Sequence, residues 1–594
     1  MKILLLDDNP VNRTILNHQL SKIGHQVEEA ENGQQGFLLA TSRPYDLFIC
    51  DIMMPQWDGF QFIEAMNVVS PGLPVVVISG HMDRGNLQQK LRAYPNVAAI
   101  LSKPVKVEDI SRVLDLTSNR AVENIRKMAR IVCTIGPASA SQDVIEKMIL
   151  AGMDVARLNF SHGVYEEHEK ALNYIRAAEE KWQRPVAVLM DLCGPKIRTG
   201  EMRDGKIELL PGRKIIIQAD SVSGTAERFS TIAPEVLADL RQDDPVLLDD
   251  GLLELQVERP GNDEVVCRVV RGGTLGSHKG INLPATPLSL PSLTAKDREN
   301  LEWGLNHSID FAALSFVRAA ADISELKELV KKSGKRDIKI VAKIEKPEAV
   351  SDMEGIIRSA DAVMIARGDL GVEMPAARVP WIQRKIISLC WTHNTPVITA
   401  TQMLESMTTH SRPTRAEVSD VSLAIAEGTD AVMLSGETAV GGDPVNVVRT
   451  MAAIISESER HHAMEHEHDR ILTSRHDDSP ALTAAASLSD TAATLVIDFD
   501  KGLYQHVSKW NRKTATLLVT HSLHTARHSC LYKNIIPIIT KEKLSRDQTV
   551  FWAIDKAKSL GYLKPGDTLA VLEGSRHTQG GIPQLGALQI VSVE

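Results

Sequence analysis

The sequence predicts an α/β protein built from several domains, and three observations predict it. The chain has 594 residues, enough for about four domains. Short apolar segments rich in β-branched residues alternate with segments of helical spacing along most of its length. The alternation falls into blocks. One covers residues 1–118, where it implies a doubly wound parallel sheet. Another covers 128–465, with the eight strands that a (β/α)8 barrel needs. Two smaller blocks, a β domain inserted at 199–286 and an α/β domain at 480–594, complete the fold class.

In the first block, Lys2–Leu6 is an apolar strand that runs into Asp7 and Asp8. A helix over Asn12–Ile23 stops at Gly24, strand His25–Ala30 follows, and a helix starts after Asn32-Gly33. Strand Tyr45–Cys50 ends on Asp51, strand Leu73–Ile78 ends at Ser79, and strand Val97–Leu101 leads to Ser102-Lys103-Pro104. Ligands of such sheets lie beyond the carboxyl ends of the strands, where Asp7, Asp8, Asp51, Ser79 and Lys103 all fall. Three gathered carboxylates repel one another unless a hard cation joins them, and an all-oxygen set suits magnesium. One carboxylate can then attack phosphate while the hydroxyl and ammonium bind phosphoryl oxygens.

These positions resemble the receiver domain of two-component response regulators, which has a flavodoxin-like fold. The resemblance implies Asp51 as phospho-acceptor, Asp7, Asp8 and Asp51 around Mg2+, Ser79 and Lys103 on the phosphate, and a histidine kinase or other phosphodonor as partner. The place of the usual switch aromatic is taken by Ile100, so a tyrosine-flip readout is not expected. Residues 119–127 lack a Gly/Ser or Pro tract, which suggests a helical junction around Arg112–Lys127 able to pass a signal mechanically.

The barrel strands are expected at Arg130–Ile135, Asp154–Leu158, Val186–Asp191, Phe311–Ser315, Ile338–Lys343, Ala362–Ala366, Val397–Ala400 and Ala431–Ser435. Helices are expected at Asp143–Ala151, Tyr165–Trp182, Lys296–His307, Ile323–Lys332 and Ala416–Glu427. Chemistry in this architecture gathers at the carboxyl ends of the strands. Arg157, Asn159 and Ser161 alternate onto one face after the second strand. Asp191 closes the third. Lys343 and Glu345 share a face of the fifth, Asp369 follows the sixth, Thr401 the seventh, and Ser435-Gly436-Glu437 the eighth. A guanidinium fork matches phosphate, and a lysine with two carboxylates suits a phosphoryl group and a divalent metal. A surface ion pair is the plain alternative for Lys343 and Glu345.

Cys133-Thr134-Ile135-Gly136-Pro137, Arg157 to Gly163, Lys343-Ile344-Glu345, Arg367 to Gly371, Ala400 to Met407 and Ser411 to Glu417 resemble pyruvate kinase, in order, and the likeness runs over about 128–594. The resemblance implies a TIM-barrel enzyme that transfers phosphoryl from phosphoenolpyruvate to ADP, giving pyruvate and ATP. It implies Lys343, Thr401 and Arg157 as catalytic groups, and Gly368 and Asp369 beside them on substrate. Glu345 and Asp369 would hold Mg2+ or Mn2+. Asn159, His162, Arg198 and Lys279 would face the nucleotide, and the insertion would be a mobile lid. Asn159, Ser161 and Asp191 match the family's potassium ligands. Lys196 stands where a glutamate is common, as in the potassium-independent branch, so K+ is not expected to be required. In the C-terminal domain, Asp498-Phe499-Asp500-Lys501-Gly502 replaces a phosphate-gripping turn, and its carboxylates disfavour a sugar-bisphosphate effector. A catalytically inactive, metabolite-sensing output protein of a phosphorelay is the competing reading, and an aldolase-like barrel a third. The intact set Arg157, Lys343, Glu345, Asp369 and Thr401 opposes the first, while Lys343 and the lid oppose the second.

The domain division read from these blocks is 1–118, linker 119–127, barrel 128–198 and 287–465, lid 199–286, connector 466–479 and C-terminal domain 480–594. The connector region carries His461, His462, His466 and His468 among acids and is expected to be a solvated tether. A net charge of −9 gives no reason to expect nucleic acid. No apolar run is long enough to span a bilayer, and six scattered cysteines without CxxC pairs fit a reducing cytoplasm. The resemblance to pyruvate kinase implies a homotetramer.

Overall fold

The computed structural model describes residues 1–70, 73–80, 90–91, 94, 96–103, 105, 109–110, 127–335, 337–465, 491–498, 502–510, 514–540, 544–559, 562–563, 566–579 and 582–593. All but Lys127 of the junction around 112–127, the connector 466–479 and residues 499–501 of the C-terminal turn lie outside the described residues.

The N-terminal sheet has five parallel strands. Across the sheet they run Gln26–Ala30, Lys2–Leu6, Leu47–Asp51, Val75–Ser79 and Val97–Ser102. The strand order reverses between Lys2–Leu6 and Leu47–Asp51, opening a crevice beyond their ends, where Asp7 and Asp51 stand. Helix starts follow local chemistry. Asn9 caps Pro10–Lys22, Asn32 caps Gly33–Ser42, and Asp58 with Gln61 forms a capping box for Gly59–Val69.

A closed barrel of eight parallel strands follows: Arg130–Ile135, Val155–Asn159, Ala187–Asp191, Phe311–Leu314, Lys339–Ile344, Ala362–Ala366, Val397–Ala400 and Ala431–Leu434. Every expected strand is present, with bounds displaced by one residue at most. The interior is filled by Val132, Leu189, Phe311, Val341, Met364 and Ile398 among others, and Cys530 and Leu531 of the C-terminal domain join this cluster. The insertion folds on its own core, with a six-stranded sheet and a two-stranded ribbon. That core reaches beyond 199–286 to Ile197, and partly buried Leu288 and Leu290 pack against it.

The C-terminal sheet runs Ile535–Ile539, Ala515–Thr520, Ala493–Ile497, Thr568–Gln579 and Ile582–Ser592. The sequence predicts strands at Ala493–Asp498, Thr516–Thr520, Ile535–Ile539 and Thr568–Leu572; the last strand, antiparallel to Thr568–Gln579, is an additional element. Pro583 and Gly586 mask it, since a strand with a proline is tolerated at a sheet edge. The domain docks on the barrel through Arg527 on Glu179, Arg130 Nε donating to Tyr532 O at 2.8 Å, and Lys533 3.1 Å from Glu459. His524 Nε2 lies 2.8 Å from Asp337 O, and His528 Nε2 3.2 Å from Asp310 O. Among the described residues no helix is long and apolar enough to cross a membrane.

Candidate functional site

The barrel mouth is organised around Asp191, which is 1% exposed. Its Oδ2 accepts from Arg157 Nε at 2.8 Å, with Nη2 at 2.7 Å, while its Oδ1 lies 3.4 Å from Lys343 Nζ. Strand pairing sets this up: Arg157 and Asp191 lie on adjacent parallel strands, Asn159 being in register with Asp191. Alternation then sends Arg157 and Asn159 to one face. Arg157 Nη1 also donates to Thr134 Oγ1 at 2.8 Å, so its guanidinium is clamped at two points.

Lys343 Nζ donates to Ser315 Oγ at 2.6 Å and stands 3.6 Å from Glu345 Oε2. Burial opposes its charge, but Asp191, Glu345 and Asp369 together hold its pKa above the usual lysine value. Glu345 accepts from Phe316 N at 2.6 Å. Its carboxyl is pushed up by burial, with Lys343 pulling it down and Asp369 raising it again. Asp191 Oδ1 is buried without a hydrogen-bond partner among the described residues. A buried carboxylate set with more negative charge than its lysine balances has a place for a hard cation. Glu345 and Asp369 therefore fit a divalent metal, Asp369 being exposed at the start of helix Arg367–Glu373.

Thr401 has φ +68°, which a β-branched residue adopts only under strain. Its Oγ1 accepts from Gly368 N at 2.7 Å and donates to Ala400 O at 2.6 Å. A Cβ on Gly368 would stand 3.3 Å from that oxygen, a tight approach that favours glycine. The strained turn is held by Arg367, which donates to Ala400 O at 3.2 Å and Thr401 O at 2.7 Å, with Asp420 2.7 Å behind it.

His162, Lys196, Arg198 and Arg157 form one positive field. The His162 pKa is lowered by burial first, then by Lys196, Arg198 and Arg157. That of Lys196 is lowered by burial and Arg198, with Asp191 and Lys343 also within its field. Asn159 Oδ1 accepts from Ser161 N at 3.1 Å. Lys279 lies on the insertion, 2.9 Å from Asp249, and Arg198 Nη1 donates to His278 O. Glu437 does not join the ring at the mouth. It is fully buried and accepts from Ser435 N and Leu404 N, which makes it a brace for the loop. Sequence reasoning missed Thr134, Ser315 and the propping role of Arg367. Ser315 was findable, since it closes an expected strand. Arg367 was not, because its partners are backbone carbonyls from another loop.

In the N-terminal domain, ligand atoms of Asp7, Asp8 and Asp51 lie within 4.8 Å of one another. Lys103 Nζ bonds Asp7 at 2.7 Å and Asp51 at 2.5 Å. The Asp51 carboxyl is raised by burial, against the pull of Lys103. Ser79 ends its strand in register with Ser102, beside this group. The three-carboxylate oxygen set fits a divalent cation.

Three family models match: the pyruvate kinase barrel domain over residues 126–448, the response regulator receiver domain over 3–115, and the pyruvate kinase alpha/beta domain over 504–583. The pyruvate kinase of Geobacillus stearothermophilus is 41% identical over 480 residues, covering 79% of this chain and 81% of that protein. That of Staphylococcus aureus strain MRSA252 is 39% identical over 479 residues, with the same coverage.

Proposed function

The chain belongs to the pyruvate kinase family and converts phosphoenolpyruvate and ADP to pyruvate and ATP, and we propose that the Arg157–Asp191–Lys343–Glu345 constellation performs the transfer. The observation that carries this is Lys343, largely buried and held charged between Asp191 and Glu345. Phosphoryl transfer needs positioned positive charge more than covalent chemistry. Lys343 takes the transferring phosphoryl, and Arg157, locked by Asp191 and Thr134, neutralises its oxygens. Glu345 and Asp369 hold Mg2+ or Mn2+, which when bound supplies Lewis-acid charge to substrate oxygens. Thr401 orients the enolate carbon for its proton, with Gly368 donating to its hydroxyl. His162, Arg198, Asn159 and, when the insertion closes as a lid, Lys279 face the nucleotide. Asn282 donating to Glu373 at 2.8 Å supports a hinge there.

A cation about 4 Å from the developing charge is worth roughly 4 kcal/mol at an effective dielectric near 20. Lys343→Met should therefore lower kcat by about three orders of magnitude in a lactate-dehydrogenase-coupled pyruvate assay. A loss below about tenfold would remove Lys343 from the transfer.

Potassium independence is proposed from Lys196 standing where a glutamate is common, its ammonium supplying the charge a monovalent cation would bring to Asn159, Ser161 and Asp191. Replacing K+ by tetramethylammonium should leave turnover nearly unchanged. Strong activation by K+ refutes it.

The N-terminal domain is a receiver. Mg2+ on Asp7, Asp8 and Asp51, a phosphodonor such as a histidine kinase, and phosphate contacts from Ser79 and Lys103 make Asp51 the regulatory acceptor. We keep the division 1–118, 128–198 with 287–465, 199–286 and 480–594, which the separate sheets of the four parts support. A homotetramer is the proposed assembly, with exposed Trp381, Phe551 and Ile590 as apolar surface open to contacts, and six cysteines outside any disulfide support a cytoplasmic setting.

A further inference from the structure

We propose that the receiver acts on the active site through the loop after Asp51, with helix Tyr165–Trp182 as the rod that carries the change. The proposal rests on the receiver reading above. The loop Ile52–Asp58 is stitched at both ends. Gly59 N donates to Ile52 O and Gly33 N to Trp57 O, both at 2.9 Å, and Met53 N reaches Asp51 Oδ1 at 3.4 Å. A Cβ on Gly59 would stand 2.2 Å from Asp51 O, so the loop folds directly over the acceptor. A displacement at Asp51 therefore has little slack before Trp57.

Trp57 is 4% exposed and meets Trp182 edge to face, with ring centroids 4.8 Å apart. Phe37 backs it at 5.4 Å. At the rim, Lys181 bonds Glu146 at 2.7 Å and faces Glu64 of the receiver at 3.9 Å, while Arg449 Nε donates to Val68 O at 2.6 Å. Residues of both domains form one continuous apolar cluster. Both indole N–H groups are buried without a partner among the described residues. The seam is thus desolvated without full compensation, which makes it easy to tip.

The rod has 18 residues, a length of about 27 Å. Its carboxyl end is Trp182. Arg176 in its middle bonds Val186 O and Asp310, and Glu179 takes Arg527 of the C-terminal domain. At its amino end, His168 Nε2 donates to His162 O at 3.1 Å, and its ring stacks on Phe160 at 4.3 Å. Those residues belong to the mouth loop that follows strand Val155–Asn159, which carries Arg157. One helix therefore touches the receiver, the C-terminal domain and the substrate loop.

Phosphorylation by an acyl phosphate forms a bond from an Asp51 carboxylate oxygen to phosphorus and breaks the donor's carboxyl O–P bond, releasing the donor carboxylate. Lys103, shared by Asp7 and Asp51, then turns to the new oxygens, and the loop resets Trp57.

The test treats the full chain with Mg2+ and acetyl phosphate and follows phosphate on Asp51 by intact mass, with Asp51→Asn as the blank. The wild type should shift its half-saturating phosphoenolpyruvate concentration by about fivefold or more, with altered deuterium uptake over residues 159–168. Trp57→Ala and Glu64→Arg should take up phosphate equally and lose both responses. Two variants keep the test decisive if one folds poorly. A wild-type shift in either folded variant overturns the route, as does phosphorylated wild type with no shift. Failure of Asp51 to take up phosphate overturns its reading as the regulatory acceptor, and the route with it.

Discussion

Asp191 shows how one buried carboxylate fixes two cations that must not drift. Burying such a network is expensive unless every member is paired, and Asp191 Oδ1, held only by the 3.4 Å ion pair to Lys343, marks where pairing is weakest. Thr401 shows the complementary device. Its positive φ costs on the order of 1–3 kcal/mol, and Arg367 holds it with two backbone contacts and an ion pair to Asp420. A lysine keeps the charge but not the fork. Arg367→Lys should lower kcat by about 10- to 100-fold through misplacement of Thr401, with a smaller change in KM. Equal losses in kcat and 1/KM, or none, would show that Arg367 does not position Thr401. The residue types at the mouth were legible from strand alternation alone. Their mutual contacts were not, because Lys343 and Asp191 are 152 positions apart in sequence.

Among elements, the barrel strands were the most legible because each is a short, mostly apolar run, and all but the first end in a polar residue or are followed at once by one. Helix ends followed their caps, as at Thr294 and Thr414, each with an acid three residues on. The helix Leu523–Ser529 carries a feature no spacing announced. His524 and His528 pack edge to face at 3.8 Å, and burial, then His524 and Lys339, hold the His528 pKa at about 3, against the raising pull of Asp337 and the Asp310 carbonyl. The unfolded chain binds this proton below about 6.5 and the folded chain only near 3, so acid favours unfolding across that window. Each pH unit crossed there costs up to about 1.4 kcal/mol. His528→Gln should therefore show a smaller fall in Tm between pH 7 and pH 5 than the wild type, measured by calorimetry. An equal fall would mean that His528 does not set the acid response of the seam.

At the scale of the molecule, three domains converge on one barrel helix, and the receiver adds its sheet to an enzyme whose own core is complete. The sequence by itself determined that a receiver precedes a pyruvate kinase, where the eight barrel strands lie, and which polar residue types stand at the strand ends of both sheets. Each of these rests on local patterning: apolar period, turn residues, and polar groups at strand ends. The tertiary structure alone decided which cations share Asp191, that Glu437 braces a loop away from the mouth, that a final antiparallel strand closes the C-terminal sheet, and that Trp57 meets Trp182. These are contacts between segments far apart in the chain. They follow from strand register and helix packing, which a linear pattern of residue types does not encode.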